Sequence, residues 1–148
     1  MNDGYHCSIT ENEILVADAL AFVADPRYGA TASFIGSIRD YNLGKTVIGV
    51  SYDVHEKLAQ KVFYDICQEA SQQFDQNLKI YIKHFKGRLA VGGISVVIAV
   101  GAMHRDEAFK ACRYIIEAVK HRCPIWKQEH YIDGDTQWVK GHELCAKH

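Results

Sequence analysis

Apolar residues recur along this chain of 148 residues at two spacings, alternate positions and every third or fourth, and the changes between them divide it into elements. Tyr5 to Ile9 predicts a short strand. Thr10 reads as the N-cap of a helix over Glu11 to Val23, where Leu15, Ala19, Phe22 and Val23 fall at helical spacing. Asp25-Pro26 ends that helix, because the residue before a proline is pushed out of the helical region. Ala30 to Ile38 is a β-favouring run, the polar, glycine-punctuated stretch Arg39 to Lys45 reads as a mobile loop, and Val47 to Val54 resumes as a strand. Glu56 to Phe74 is an amphipathic helix with Leu58, Val62, Ile66, Ala70 and Phe74 on its apolar face. Leu78 to Phe85 alternates as a half-buried strand. Gly92-Gly93 then opens Ile94 to Val100, so nearly wholly apolar that it belongs at the centre of a sheet. A third helix spans Asp106 to His121, burying Ala108, Phe109, Cys112, Ile115, Ile116 and Val119, and Cys123-Pro124 stops it. Ile125 to Ile132 and Gln137 to Val139 close the chain as strands around an Asp133-Gly134 turn. The pattern predicts a single α+β domain with a mixed, mainly antiparallel sheet and three main helices.

Composition narrows the function classes. With 48% hydrophobic residues, the chain supports one compact core that buries roughly two thirds of the unfolded surface. A formal net charge of -1 offers no global attraction to nucleic acid or an anionic membrane, so any anion site has to be local. No apolar run reaches the roughly 18 to 20 residues that span a bilayer, and MNDGYHCSIT lacks the basic start of a signal peptide, so a cytoplasmic address is expected. Cys7, Cys67, Cys112, Cys123 and Cys145 are odd in number and scattered, which reads as reduced thiols, with Cys112 and Cys123 acting as small hydrophobes. His142, Cys145 and His148 come nearest to a metal-ligand spacing, but at a chain end where fraying opposes a rigid site. The motifs of serine hydrolases, nucleotide-binding loops and zinc proteases are missing from the sequence.

Three segments place basic residues where elements change. Phe34 to Asp40 lets Arg39 leave a strand end and offer a planar fork of donors to phosphate or carboxylate, though such an arginine taken alone is more often a solvated loop charge. Gly101 to Asp106 joins the most apolar strand to the third helix, whose unpaired N–H groups favour an anion beside His104 and Arg105. Asp106 is a possible cap there. In Lys120 to Glu129, Lys120 follows Ile116 by four residues and so lies at the edge of the apolar face. Partial burial there would make its amine a usable acid, base or nucleophile, while a plain dipole partner at a helix end is the bland alternative. Beyond Pro124, Ile125 and Lys127 share one face of a strand and Trp126 takes the other, so Lys120 and Lys127 can converge on one pocket.

Phe34 through Gly44 (FIGSIRDYNLG), Met103-His104-Arg105 with the helix after it, and Pro124 to Glu129 (PIWKQE) resemble, in order and spacing, the signature segments of the molybdopterin synthase catalytic (large) subunit family, over about Gly29 to Val139. The resemblance implies an α/β hammerhead fold and a homodimer within a heterotetramer. A small ubiquitin-like sulfur-carrier subunit would insert its C-terminal thiocarboxylate into the pocket. The implied activity is that of a sulfurtransferase that places two sulfurs on cyclic pyranopterin monophosphate to form the molybdopterin dithiolene, with no cofactor or metal of its own. Lys120 and Lys127 match the family's catalytic lysines; Arg39, His104 and Arg105 match its anion-binding positions; Phe34 and Ile116 match apolar walls, Ile116 standing where a methionine occurs in relatives. His142 stands where some relatives carry an arginine. Two rival readings remain at this level: a non-catalytic module that docks an anionic partner, and an acyl- or phosphoryl-processing enzyme built around Lys120.

Overall fold

A computed structural model describes residues 4–134, 136 and 138–140, so His142, Cys145 and His148 lie outside the described residues. The elements in chain order are β1 (Tyr5–Thr10), α1 (Val16–Val23), β2 (Ala30–Ser37), β3 (Tyr41–Asn42), β4 (Lys45–Val54), α2 (Glu56–Gln73), β5 (Lys79–Phe85), β6 (Gly87–Leu89), β7 (Ile94–Ala102), α3 (Arg105–Arg122), β8 (Ile125–Tyr131) and β9 (Trp138–Lys140). They form two sheets where the sequence reading expected one. The first has the order β1-β5-β7-β2, parallel between β1 and β5 and antiparallel elsewhere. The second runs β3-β4-β8-β9, with β6 also paired to β4. The chain passes between the sheets beyond β2, after a register irregularity at Gly36/Ser37, a bulge that turns a strand away from its partner.

Side-chain alternation explains how the first sheet is covered. On β5 and β7, Ile80, Ile82, Val96, Ile98 and Val100 face α2 and α3, whereas Tyr81, Val97 and Ala99 face α1. A strand buried on both faces offers few positions to polar side chains, which is why β7 reads as an almost wholly apolar run with Ser95 as its one polar side chain. A smaller core of Ile38, Val47 and Val50 fastens the second sheet, with Tyr52, Leu89 and Tyr131 against it. No helix among the described residues is long and apolar enough to cross a membrane.

Five expectations change. Helix α1 begins at Val16, five residues late, because Thr10 still pairs with Phe85 in the sheet; its Oγ1 accepts from Asn12 N in a local turn and caps no helix. The supposed mobile loop is a tight hairpin: Tyr41 and Asn42 pair with Thr46 and Lys45 across Leu43 and Gly44, both at positive φ, the geometry of a two-residue hairpin turn. On α2 the buried stripe is Ala59, Phe63, Ile66, Cys67 and Ala70, turned away from Leu58, which is exposed. On α3, Phe109 is 65% exposed, because the buried residues Ala108, Ala111, Cys112, Ile115, Ile116 and Val119 define a stripe that passes beside it. Asp106 pairs with Lys110 on the next turn at 3.0 Å, and the N-cap position is taken by His104.

At Gly101, close approach leaves no room for a side chain, since a Cβ would lie 2.4 Å from the carbonyl oxygen of Val23 and 2.8 Å from the Tyr28 ring. Gly101→Ala therefore has to push α1 away from β7. A loss of roughly 1 to 3 kcal/mol, read as a lower urea midpoint with an unchanged slope, is the expected result.

Candidate active site

A pocket of about 580 Å³ opens where the second sheet meets α3 and the edge strand β2. That volume suits a small organic ligand. Strand β2 contributes Phe34, and the turn beyond it Arg39; α3 contributes Cys112, Arg113, Ile116, Glu117 and Lys120; β4 contributes Val50 and Tyr52; β8 contributes Lys127 and Glu129. Five of the seven site residues named from sequence, Phe34, Arg39, Ile116, Lys120 and Lys127, therefore face one space. Four cationic side chains stand against two carboxylates in it, so the pocket is locally basic on a chain of near-neutral charge.

His104 and Arg105 do not join them. They line a separate concavity with Gly29, Met103, Asp106 and Phe109 at the opposite end of α3. Fifteen residues of helix separate Arg105 from Lys120, about 22 Å at the helical rise. Phe109 borders both spaces.

Of the two lysines, Lys120 differs from expectation in its exposure, whereas Lys127 shares the buried face of Ile125 as alternation predicts. Alternation along β8 buries Ile125, Lys127 and Glu129 and leaves Trp126 outside, so Lys127 is only 9% exposed. Lys120 lies one step past the buried stripe of α3 and is exposed at the rim. Burying an ammonium requires a nearby countercharge, and Glu129, 5% exposed, supplies it with Oε2 at 3.8 Å from Lys127 Nζ. The other oxygen of Glu129 accepts from Asn42 Nδ2 at 2.6 Å and from the Tyr131 hydroxyl at 2.7 Å. Asn42 in turn accepts through Oδ1 from Arg39 Nη2 at 3.2 Å. One buried carboxylate thus orients both Arg39 and Lys127. Burial, and then the bond to Glu129, push the Tyr131 phenol up to about 12.

Beneath this network lies a second, small cavity of about 30 Å³ that shares Tyr52, Ser95, Ile116, Lys120 and Lys127 with the larger one and adds His84. His84 is 6% exposed, and its Nδ1 lies 2.8 Å from the Phe85 carbonyl. A carbonyl only accepts, so Nδ1 carries the proton. Burial depresses the imidazole to about 4, the Phe85 carbonyl opposes this, and the nearby charges of Lys120 and Lys127 add to the depression. Neither His84 nor the Glu129–Asn42–Tyr131 set was named from the sequence. A signal existed in each case: His84 continues the inward face of Ile80 and Ile82, and Glu129 continues that of Ile125 and Lys127. Among the described residues there is no group of three or more histidine, cysteine or acidic side chains placed to hold a metal ion.

The model of the MoaE protein family matches residues 9–122. The chain belongs to the MoaE protein family. It is 49% identical, over 98% of its own length and 88% of the relative's, to a molybdopterin synthase catalytic subunit of Synechococcus elongatus. Its fold superposes on the crystal structure of molybdopterin synthase from Staphylococcus aureus with a TM-score of 0.85 at 28% identity, covering 90% of this chain and 96% of that one. A complex of subunits 1 and 2 of the molybdopterin-converting factor from Helicobacter pylori shares the fold at a TM-score of 0.73 and 20% identity, over 93% and 90% of the two chains. The family match contains Phe34, Arg39, His104, Arg105, Ile116 and Lys120; Lys127 and Glu129 lie just past it, within the 145 residues aligned to the cyanobacterial relative.

The neutral state of His84 has a consequence for acid stability. A histidine whose folded pKa is depressed contributes stability that is full above its unfolded value near 6.5 and lost as pH falls toward about 4. By that linkage its share of the acid destabilisation between neutral pH and pH 4 is about 3 kcal/mol. Urea midpoints measured along that range should fall distinctly less in His84→Gln than in the wild type, and parallel curves would remove His84 as the cause.

Proposed function

We propose that this chain is the catalytic subunit of a molybdopterin synthase. In this reading it is a sulfurtransferase acting on cyclic pyranopterin monophosphate, and the sulfur arrives as the C-terminal thiocarboxylate of a small ubiquitin-like carrier subunit. The whole chain works as one large-subunit domain. The observation that carries the reading is the convergence of Lys120 and Lys127 with Arg39, Phe34 and Ile116 on a single basic pocket. Family membership and the cyanobacterial relative's activity support it.

The residues divide the work by position. Arg39, oriented by Asn42, offers a fork of donors to the precursor's phosphate. Phe34 and Ile116 form apolar walls against the pterin. Lys120, at the rim, moves a proton or stabilises the charge that develops as the thiocarboxylate sulfur attacks. Lys127, fixed by Glu129, holds a positive potential at the back of the pocket. His104 and Arg105 contribute from another chain: in a homodimer the second copy brings them to the pocket that their own chain keeps about 22 Å away.

Reconstitution tests the whole. Purified chain, thiocarboxylated carrier and precursor should yield the dithiolene, and Lys120→Ala should lose turnover while keeping its circular dichroism and urea midpoint. Absence of wild-type product, with carrier and precursor proven on a known synthase, would sink the proposal. Arg39→Ala should weaken precursor binding by roughly tenfold or more, the worth of one charge-assisted hydrogen bond; an unchanged affinity would take Arg39 out of phosphate binding.

A further inference from the structure

The small cavity beneath the pocket has Tyr52, His84, Ser95 and both lysines among its lining residues, and has room for one or two water molecules. No carboxylate is among the described residues that line it, so the side-chain acceptors there are His84 Nε2, Ser95 Oγ and the Tyr52 hydroxyl. Ser95 Oγ already donates to the Gly36 carbonyl at 3.2 Å. With its Nδ1 proton committed to Phe85, His84 keeps an unprotonated Nε2 with one lone pair, and the Tyr52 ring packed edge-on at 5.0 Å holds the imidazole plane.

We propose that His84 is a positioning residue for the lysine pair: across the small cavity its Nε2 accepts a hydrogen bond from a lysine ammonium, directly or through one water, and fixes where that ammonium presents its remaining protons. The groups facing it are the ammoniums of Lys120 and Lys127 and the phenol of Tyr52, from α3, β8 and β4. A neutral acceptor suits this task better than a carboxylate. It orients an ammonium without cancelling its charge, and burial between two cations keeps it from taking the proton outright. The chemical part of this inference rests on the synthase reading; the contact itself does not.

Two substitutions separate the ring nitrogens. His84→Asn retains a donor for the Phe85 carbonyl and removes the acceptor at the Nε2 position, whereas His84→Gln retains an acceptor there and loses the Nδ1 donor. Competitive acetylation with acetic anhydride over a pH series, read at Lys120 and Lys127 by peptide mass spectrometry, reports the lysines' titration without precursor or carrier. In His84→Asn the midpoint of at least one of the two should fall by about one unit, a roughly tenfold larger neutral fraction, while His84→Gln stays near the wild type. Reconstituted turnover should follow, with kcat about tenfold lower in His84→Asn at unchanged KM for the precursor, and restored in His84→Gln. Unmoved midpoints in His84→Asn, equal shifts in both variants, or a shift in His84→Gln alone would each overturn the proposal. The last would leave His84 as a structural partner of Phe85. A wild type that makes no product yet gives the expected labelling would count against the synthase reading and support the contact.

Discussion

Strand β7 has no side that meets water: Val96, Ile98 and Val100 press on α2 and α3 while Val97 and Ala99 press on α1. Both neighbouring strands and all three helices are placed by that double burial, and Gly101 near its end, with the Val23 carbonyl against its Cα, shows how little slack remains. The pocket inherits this rigidity. Helix α3 is pinned along its length by Ala108, Ala111, Ile115 and Val119, and at its end by Arg122, whose guanidinium donates to Glu69 of α2 at 2.8 Å. Lys120, two residues earlier, therefore projects from a fixed base even though its own side chain is exposed.

The second sheet contributes charge to that frame. Its own core is small, three buried residues and a few partners, and its inward face spends two of its positions on an ammonium and a carboxylate. A buried pair is weak support for stability, because desolvation offsets much of the attraction. Its effect here is geometric. Glu129 is held by Asn42 and Tyr131, and through it Lys127 and Arg39 are held on either side of the pocket, so two cations that would otherwise repel share one anchor. Arg39 projects from a loop that the hairpin at Leu43 and Gly44 keeps short, which lets Asn42 reach back to it.

Much of this was legible in the chain. The apolar run of β7, the period of α3 and the alternation that buries Lys127 beside Ile125 all follow from local spacing, and local spacing survives folding. What was missed depends on contacts between distant segments. The late start of α1 reflects Thr10 pairing with Phe85, 75 positions away. The turned face of α2 and the exposure of Phe109 depend on which side of each helix packs against the sheet and the neighbouring helix, which periodicity alone does not fix. Asn42 was legible as a turn residue and not as a partner of Glu129, since 87 positions separate them. The separation of His104 and Arg105 from Lys120 was legible, since the helix predicted between them spans about 20 Å and keeps them apart within one chain.

That separation gives α3 two working ends. Its C-terminal turn carries Lys120 into the basic pocket, and its N-terminal turn carries His104 and Arg105 beside a different concavity, with Met103 and Phe109 exposed around them. A pinned helix cannot bend to bring its ends together. If both ends serve one reaction, as the proposed function requires, then a pocket has to be completed by the N-terminal turn of another copy, and twofold pairing does this twice at once, each chain giving one end and receiving the other. Exposed apolar residues next to two cations suit such a role, since a surface that buries Phe109 and Met103 on pairing brings His104 and Arg105 with them. The pocket's basic character would then be completed by assembly, and an isolated chain, however well folded, would hold only part of its anion site.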